Sequence, residues 1–212
     1  MPTYDCSHPI ETGMQTYPGD PSVSVEPAAT VEADGYRVAA LAIGSHTGTH
    51  VDAPSHALAD GKTLGDFPVE TFRFDAVKAD LRELGAREAI EPHRLPEPDG
   101  SDLLALETGW DDHWGTDRYL DHPYLTRAAA EWCVERGLHV ATDGLNVDPT
   151  PSDNAGDEEP TDFGAHHALL GDDRLIVENL RGLDRLPRRF ELHAYPLAFD
   201  GDGAPVRAVA VV

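Results

Sequence analysis

Between Ser45 and His56 the chain carries His46, His50, Asp52 and His56 along a stretch that resists helix formation. Gly48, the β-branched Thr47, Thr49 and Val51, and Pro54 all disfavour a helix across it. A helix would set His46 and His50 one turn apart. In an extended chain, side chains two residues apart share a side, and these four residues are all even-numbered. The segment is therefore predicted to be a strand end running into a loop, with the four groups on one face. Gly44 and Gly48 would let the backbone bend, and Pro54 would fix the turn that presents His56.

Neutral imidazoles and an ionised carboxylate suit a borderline divalent ion such as zinc, at which water becomes a nucleophile near neutral pH. Three of the 11 histidines fall in this one block with a carboxylate between them, which favours a metal site over scattered surface histidines. The spacing leaves two roles open for His56, a fourth ligand or a free acid/base. A second constellation pairs His166 and His167 with Glu178, which ends the apolar run Leu175-Ile176-Val177. A carboxylate in that place needs a partner, and a second metal is one. Two ions about 3.5 to 4 Å apart, bridged by carboxylates such as Asp52 and Glu178, form a hydrolytic arrangement. These residues alone equally allow Glu178 to be an exposed strand end and His166 a helix start.

The apolar runs predict a core of alternating strands and helices. Tyr36 to Ile43, Phe74 to Leu81, Leu103 to Leu106, Leu138 to Ala141 and Leu175 to Val177 read as strands. Thr126 to Arg136 reads as a helix, with Thr126 as its N-cap and Gly137 as its stop. Phe190 to Phe199 and Val206 to Val212 flank Asp200-Gly201-Asp202-Gly203-Ala204-Pro205 and read as a C-terminal hairpin, so the expected class is α/β with a mixed sheet. Pro149 to Asp162, rich in Pro, Asp, Glu and Gly, is predicted to be an exposed loop bordering the second histidine cluster.

At 212 residues, one compact domain (1–212) is expected. The net charge of −23, with only Lys62 and Lys78 as lysines, argues against nucleic acid or an anionic membrane as partner. Acidic residues spread along the whole chain suggest a surface suited to high salt, and hence a halophilic source. Met1 to Asp5 shows no basic and apolar leader pattern and no run is long enough to span a bilayer, so a cytoplasmic protein is expected. Cys6 and Cys133 read as buried thiols.

Several motifs together resemble the cyclase family of metal-dependent hydrolases, which includes bacterial kynurenine formamidase. They are Asp5-Cys6-Ser7-His8-Pro9-Ile10, Tyr17-Pro18-Gly19-Asp20, the His46 to His56 block, Glu107-Thr108-Gly109-Trp110, Asp143-Gly144-Leu145-Asn146-Val147-Asp148, and His166 with Glu178. The resemblance implies a swivelling β/β/α fold and a homodimer or higher oligomer. It implies that His46, His50 and Asp52 bind one metal, that Asp52, His166 and Glu178 hold a second, and that His56 is the acid/base. Zinc is the implied ion, with manganese as the alternative. The implied reaction is hydrolysis of a small-molecule amide such as an arylformamide. Isatin-like cyclic amides or lactones, or a non-catalytic metal-binding role, are the alternatives. Such formamidases usually carry Trp where this chain has Tyr17, which keeps an aromatic face for the substrate. His167 is expected to be a buried or supporting histidine. His8, Asp143 and Asp148 are expected to be turn or hydrogen-bonding residues outside the site.

Overall fold

The structure, a computed structural model, describes residues 1–212. Strands β1 (Thr3–Asp5), β2 (Ser24–Ala29), β3 (Val38–Ala42), β4 (His50–Asp52) and β5 (Arg73–Asp80) occupy the first part of the chain, with the short helix α1 (Val31–Asp34) between β2 and β3. Then come β6 (Ala89–Ile90), β7 (Leu103–Glu107), β8 (Tyr124–Leu125), helix α2 (Arg127–Glu135), β9 (His139–Thr142) and helix α3 (Gly164–Leu170). Strands β10 (Ile176–Glu178), β11 (Arg189–His193), β12 (Gly203–Pro205) and β13 (Val209–Val211) complete the chain.

Nine strands form one curled mixed sheet in the order β1-β13-β11-β5-β7-β9-β10-β4-β12. Its centre, β5-β7-β9-β10, is parallel, and both flanks are antiparallel. This is the expected α/β fold with a mixed sheet. Strands β7, β9 and β10 read as largely apolar runs because both of their faces are buried, whereas β5 carries Arg73, Asp75, Lys78 and Asp80 among its apolar residues. Along β7, Leu103 and Ala105 point into one core with Phe74, Ala141 and Val177. Leu104 and Leu106 point into a second, with Val77, Val140 and Ile176, which the helices cover. Helix α2 starts where Thr126 accepts a hydrogen bond from the Ala129 amide, and Gly137 follows its end at φ 72°. It buries Ala129, Ala130 and Cys133 and packs against α3. No helix is long and apolar enough to cross a membrane.

Two expectations need correction. The Tyr36 to Ile43 run does form β3, but β3 pairs only with β2 in a hairpin apart from the main sheet, and all five of its residues are exposed. The C-terminal segment is not a simple hairpin. Strands β11 and β13 do pair, but the chain between them first crosses to the far edge of the sheet, where Gly203 to Pro205 form β12 against β4. The supposed turn is therefore an edge strand beside the histidine block. Main-chain bonds from Ala53 N to Asp202 O (2.8 Å) and from Leu64 N to Gly201 O (2.9 Å) fasten it there.

Candidate metal centre

Strand β4 carries His50 and Asp52 on one face, as alternation predicts, and pairs antiparallel with β10 so that His50 lies directly opposite Glu178. His46 and His56 arrive by other means. His46 sits in the preceding turn, which Gly48 allows at φ 62°, and His56 ends a 3₁₀ turn opened by Pro54. His166 comes from α3. The site thus gathers at the carboxyl end of β10, where ligands collect in open parallel sheets.

Three groups of three donors lie together, each with its candidate ligand atoms within 4.8 Å of one another: the buried pair of trios His46, His50, Asp52 and Asp52, His166, Glu178, and a more exposed trio of His46, His56 and Asp202. Asp52 belongs to the first two. Its Oδ1 stands 2.7 Å from His46 Nδ1 and 3.2 Å from His50 Nε2. Its Oδ2 is buried with no hydrogen-bond partner, and His166 Nε2 is 3.7 Å away. Glu178 reaches both of the buried trios, at 3.5 Å from His50 Nε2 and 3.7 Å from His166 Nε2. An unpartnered buried carboxylate oxygen is costly, and this one faces imidazole nitrogens whose other edges are already engaged. His50 Nδ1 donates to the Gly48 carbonyl at 2.8 Å, and His166 Nδ1 to Asp148 at 2.7 Å. Both rings thereby present Nε2 to the carboxylates, as histidine ligands held by an outer hydrogen bond do.

The charges follow from this crowding. Burial lowers the His46 pKa, but Asp52 and Asp202 outweigh it and carry it up to about 9. Burial likewise opposes protonation of His166, yet Asp148, Asp52 and Glu178 bring it up to about 10. Burial, reinforced by Asp52, pushes Glu178 up to about 7, although the Val147 amide donates to it at 3.0 Å. Asp52 is held well below the carboxylate range because the His50 and His46 charges outweigh its burial. The cluster gathers protons where a divalent cation would replace them, so the donor set fits a metal.

His56 differs. Burial holds its pKa below the ordinary value, it is the most exposed of these histidines, and it lines the cavity. The cavity has a volume of about 420 Å³, within the small-molecule range, and neither Lys nor Arg lines it. Tyr17, Leu145 and Phe163 form its apolar wall.

All six histidine and carboxylate residues singled out in the sequence therefore converge, and Tyr17 faces the same cavity. His167 departs from expectation: it is exposed and lines the cavity. Asp143 is the expected hydrogen-bonding residue, accepting from the Thr108 and Gly109 amides. Asp148 also bonds as expected, but its partner is His166, which ties it to the site. Sequence reasoning missed Asn179, Phe163 and Asp202. Asn179, at φ 58°, takes the Tyr119 hydroxyl on its Oδ1 and donates to the Gly48 carbonyl, strapping the end of β10 to the histidine turn. Phe163 turns through φ 49° beside the cavity. Asp202 lies 2.8 Å from His46 Nε2.

Residues 4–149, more than half of the chain, match the family model described as "Putative cyclase". A protein of Salinibacter ruber named kynurenine formamidase is 32% identical over 218 residues, covering 99% of this chain and 97% of its own. One of Bacillus cereus with the same name is 34% identical, covering 97% and 95%. Among solved structures, isatin hydrolase A from Labrenzia aggregata superposes with a TM-score of 0.86 at 23% identity, covering 100% of this chain and 93% of its own. A potential metal-dependent hydrolase with cyclase activity gives 0.80 at 22% identity, covering 99% and 96%. The last two show the fold; the family match and the relatives above 30% identity show more, and this chain belongs to the cyclase family.

Proposed function

We propose that the chain is a metal-dependent hydrolase that cleaves an N-formylkynurenine-like arylformamide with water. The observation that carries this reading is Asp52, shared by the two buried donor trios, with His56 lining the cavity and belonging to neither of those two. His46, His50 and Asp52 would hold one divalent ion, and Asp52, His166 and Glu178 a second. Zinc suits this nitrogen and oxygen donor set, and manganese is the alternative. When bound, the metal supplies Lewis-acid chemistry, polarising a carbonyl oxygen and making water more acidic.

The protein's own groups do the rest. His56, kept neutral by its depressed pKa, accepts a proton from water as the water oxygen bonds to the carbonyl carbon. It returns that proton to the leaving nitrogen as the C–N bond breaks, giving formate and a free aryl amine. Tyr17, Leu145 and Phe163 offer aromatic and aliphatic faces to an aryl ring. The named relatives support the arylformamide. The likeness to isatin hydrolase folds keeps cyclic amides as the second reading.

The reading includes a homodimer. Val38 and Leu41 of β3, and Val31 and Tyr36 in the connection before it, are each exposed on a hairpin that stands outside the main sheet, and a second copy is the occupant that would cover part of that apolar surface. It also includes adaptation to salt: a melting temperature that fails to rise in molar salt would remove that element.

The test is metal content and hydrolysis measured together, with N-formylkynurenine and isatin, before and after chelation and on re-addition of zinc or manganese. About two ions per chain with metal-restored formamide cleavage is expected. His56→Ala should lower turnover by roughly 10²- to 10⁴-fold with metal content intact. Loss of metal in that variant would make His56 a ligand, and absence of bound metal in the wild type would overturn the reading.

A further inference from the structure

We propose that Asp202 is a positioning residue that aims two histidines at once, and this rests on the functional reading above. Its Oδ2 lies 2.8 Å from His46 Nε2 and 3.4 Å from His56 Nδ1. One carboxylate oxygen therefore serves a candidate ligand and the proton-transfer group together.

The backbone fixes that oxygen. Asp202 stands just before β12, its carbonyl accepts from the Ala53 amide between Asp52 and Pro54, and the next residue pairs with Asp52. The fit is close: a Cβ on Gly203 would fall 2.6 Å from His46 Cε1. The His46 and His56 rings lie 3.9 Å apart between centroids, so a single acceptor reaches both.

The consequence lies in the tautomers. The free imidazole carries one N–H, and the hydrogen bond it makes decides which nitrogen keeps the lone pair. His46 donating Nε2–H to Asp202 leaves Nδ1 toward Asp52 and the first donor trio. His56 donating Nδ1–H leaves Nε2 as its basic nitrogen. After His56 takes a proton it is a cation beside a carboxylate, the relation by which an aspartate orients and stabilises a catalytic histidine without itself becoming protonated.

The test compares wild type with Asp202→Asn and Asp202→Ala. The expected result is a kcat lowered roughly 10²- to 10⁴-fold with KM little changed, and metal affinity weakened about 10- to 100-fold without loss of a whole equivalent. Acetate should partly restore kcat in Asp202→Ala, because the side chain is 41% exposed and a small carboxylate can enter its place. Long-range ¹H–¹⁵N correlations should show the proton on Nδ1 of His56 in the wild type and a mixture in Asp202→Asn, a readout independent of turnover. Unchanged tautomers with unchanged kcat would overturn the proposal. So would the loss of one full metal equivalent, which would make Asp202 a ligand with His46 and His56. A wild type that binds no metal and cleaves neither substrate would sink the functional reading instead, and the His56 tautomers of the metal-free proteins would still decide the role of Asp202.

Discussion

Asp148 holds the start of α3 by three hydrogen bonds, two of them from His166: its carboxylate accepts from the Ala165 amide at 2.8 Å, from the His166 amide at 2.9 Å and from His166 Nδ1 at 2.7 Å. The first residues of α3 have no side-chain cap of their own, so a residue from the loop after β9 provides it. One carboxylate starts the helix and turns its first histidine, His166, toward Asp52. Asp148→Ala should cost about 1 to 2 kcal/mol of stability through the lost cap. It should also weaken metal binding about 10- to 100-fold through the freed ring. Urea unfolding and competition with a chelating dye measure the two separately, and a stability loss without any change in metal affinity would limit Asp148 to capping.

Two histidines away from the site set an acid limit. His139 Nδ1 accepts from the Leu175 amide at 2.8 Å, and buried His122 bonds the Pro123 carbonyl through Nδ1 and the Thr150 hydroxyl through Nε2. Burial pushes both down to about 4. A folded pKa below the unfolded value near 6.5 means that the unfolded chain binds more protons between the two. Their contribution is thus fully present above pH 6.5 and is lost as pH falls toward 4. His139→Asn, which keeps an acceptor that does not titrate there, should lose less stability than wild type between pH 7 and 4.5. Parallel pH-stability curves for the two proteins would contradict this.

Local signals located what local structure controls. Alternation placed His50 and Asp52 correctly because β4 is a real strand, and the Thr126 cap and Gly137 stop framed α2 within a residue or two. His46 and His56 converge through turns, so their even numbering coincided with the outcome without causing it. Asp202 was out of reach because its partners are 146 and 156 residues away and β12 pairs at the opposite edge from β13. Nothing in a Gly-Asp-Gly-Ala-Pro run distinguishes a turn from an edge strand until that pairing is known. The exposure of β3 was equally illegible, since apolar alternation marks a strand and not what covers it.

Arg87 anchors the loop from Pro149 to Asp162 at three of its residues, alongside bonds from Asp121, His122 and Arg127. The Arg87 side chain, 8% exposed, donates Nε to Glu159 at 2.7 Å and Nη1 to the Thr150 carbonyl at 3.0 Å and Ser152 Oγ at 3.1 Å, and pairs with Asp121. Hydrogen bonds to charged groups contribute about 1.5 to 3 kcal/mol each. Arg87→Met should therefore speed amide exchange in residues 150–162 at least about ten-fold while the amides of β7 and β9 keep their protection. Uniform loss of protection would show that Arg87 supports the whole domain instead.

Gly203 is the position where the smallest change should reach the site. Its ideal Cβ would lie 2.6 Å from His46 Cε1, 3.0 Å from His46 Nδ1 and 3.0 Å from the Val51 carbonyl, well inside contact distance. The clash falls on a ring held at both edges by carboxylates, Asp52 on one side and Asp202 on the other, so the ring cannot move without breaking one of those bonds. Overpacking of this kind costs about 1 to 3 kcal/mol, and β12 is an edge strand that can give way locally. Gly203→Ala should therefore fold, with a modestly lower melting temperature, while metal affinity and turnover fall at least ten-fold. Gly85→Ala is the control: its Cβ would meet only Glu88 Oε2, at 3.7 Å, and its φ lies outside the left-handed range. There the smaller entropy of the unfolded chain should leave stability unchanged or raised by up to about 1 kcal/mol. Metal titration of both variants decides the matter: normal affinity in Gly203→Ala would mean that His46 does not need its observed place between the two carboxylates.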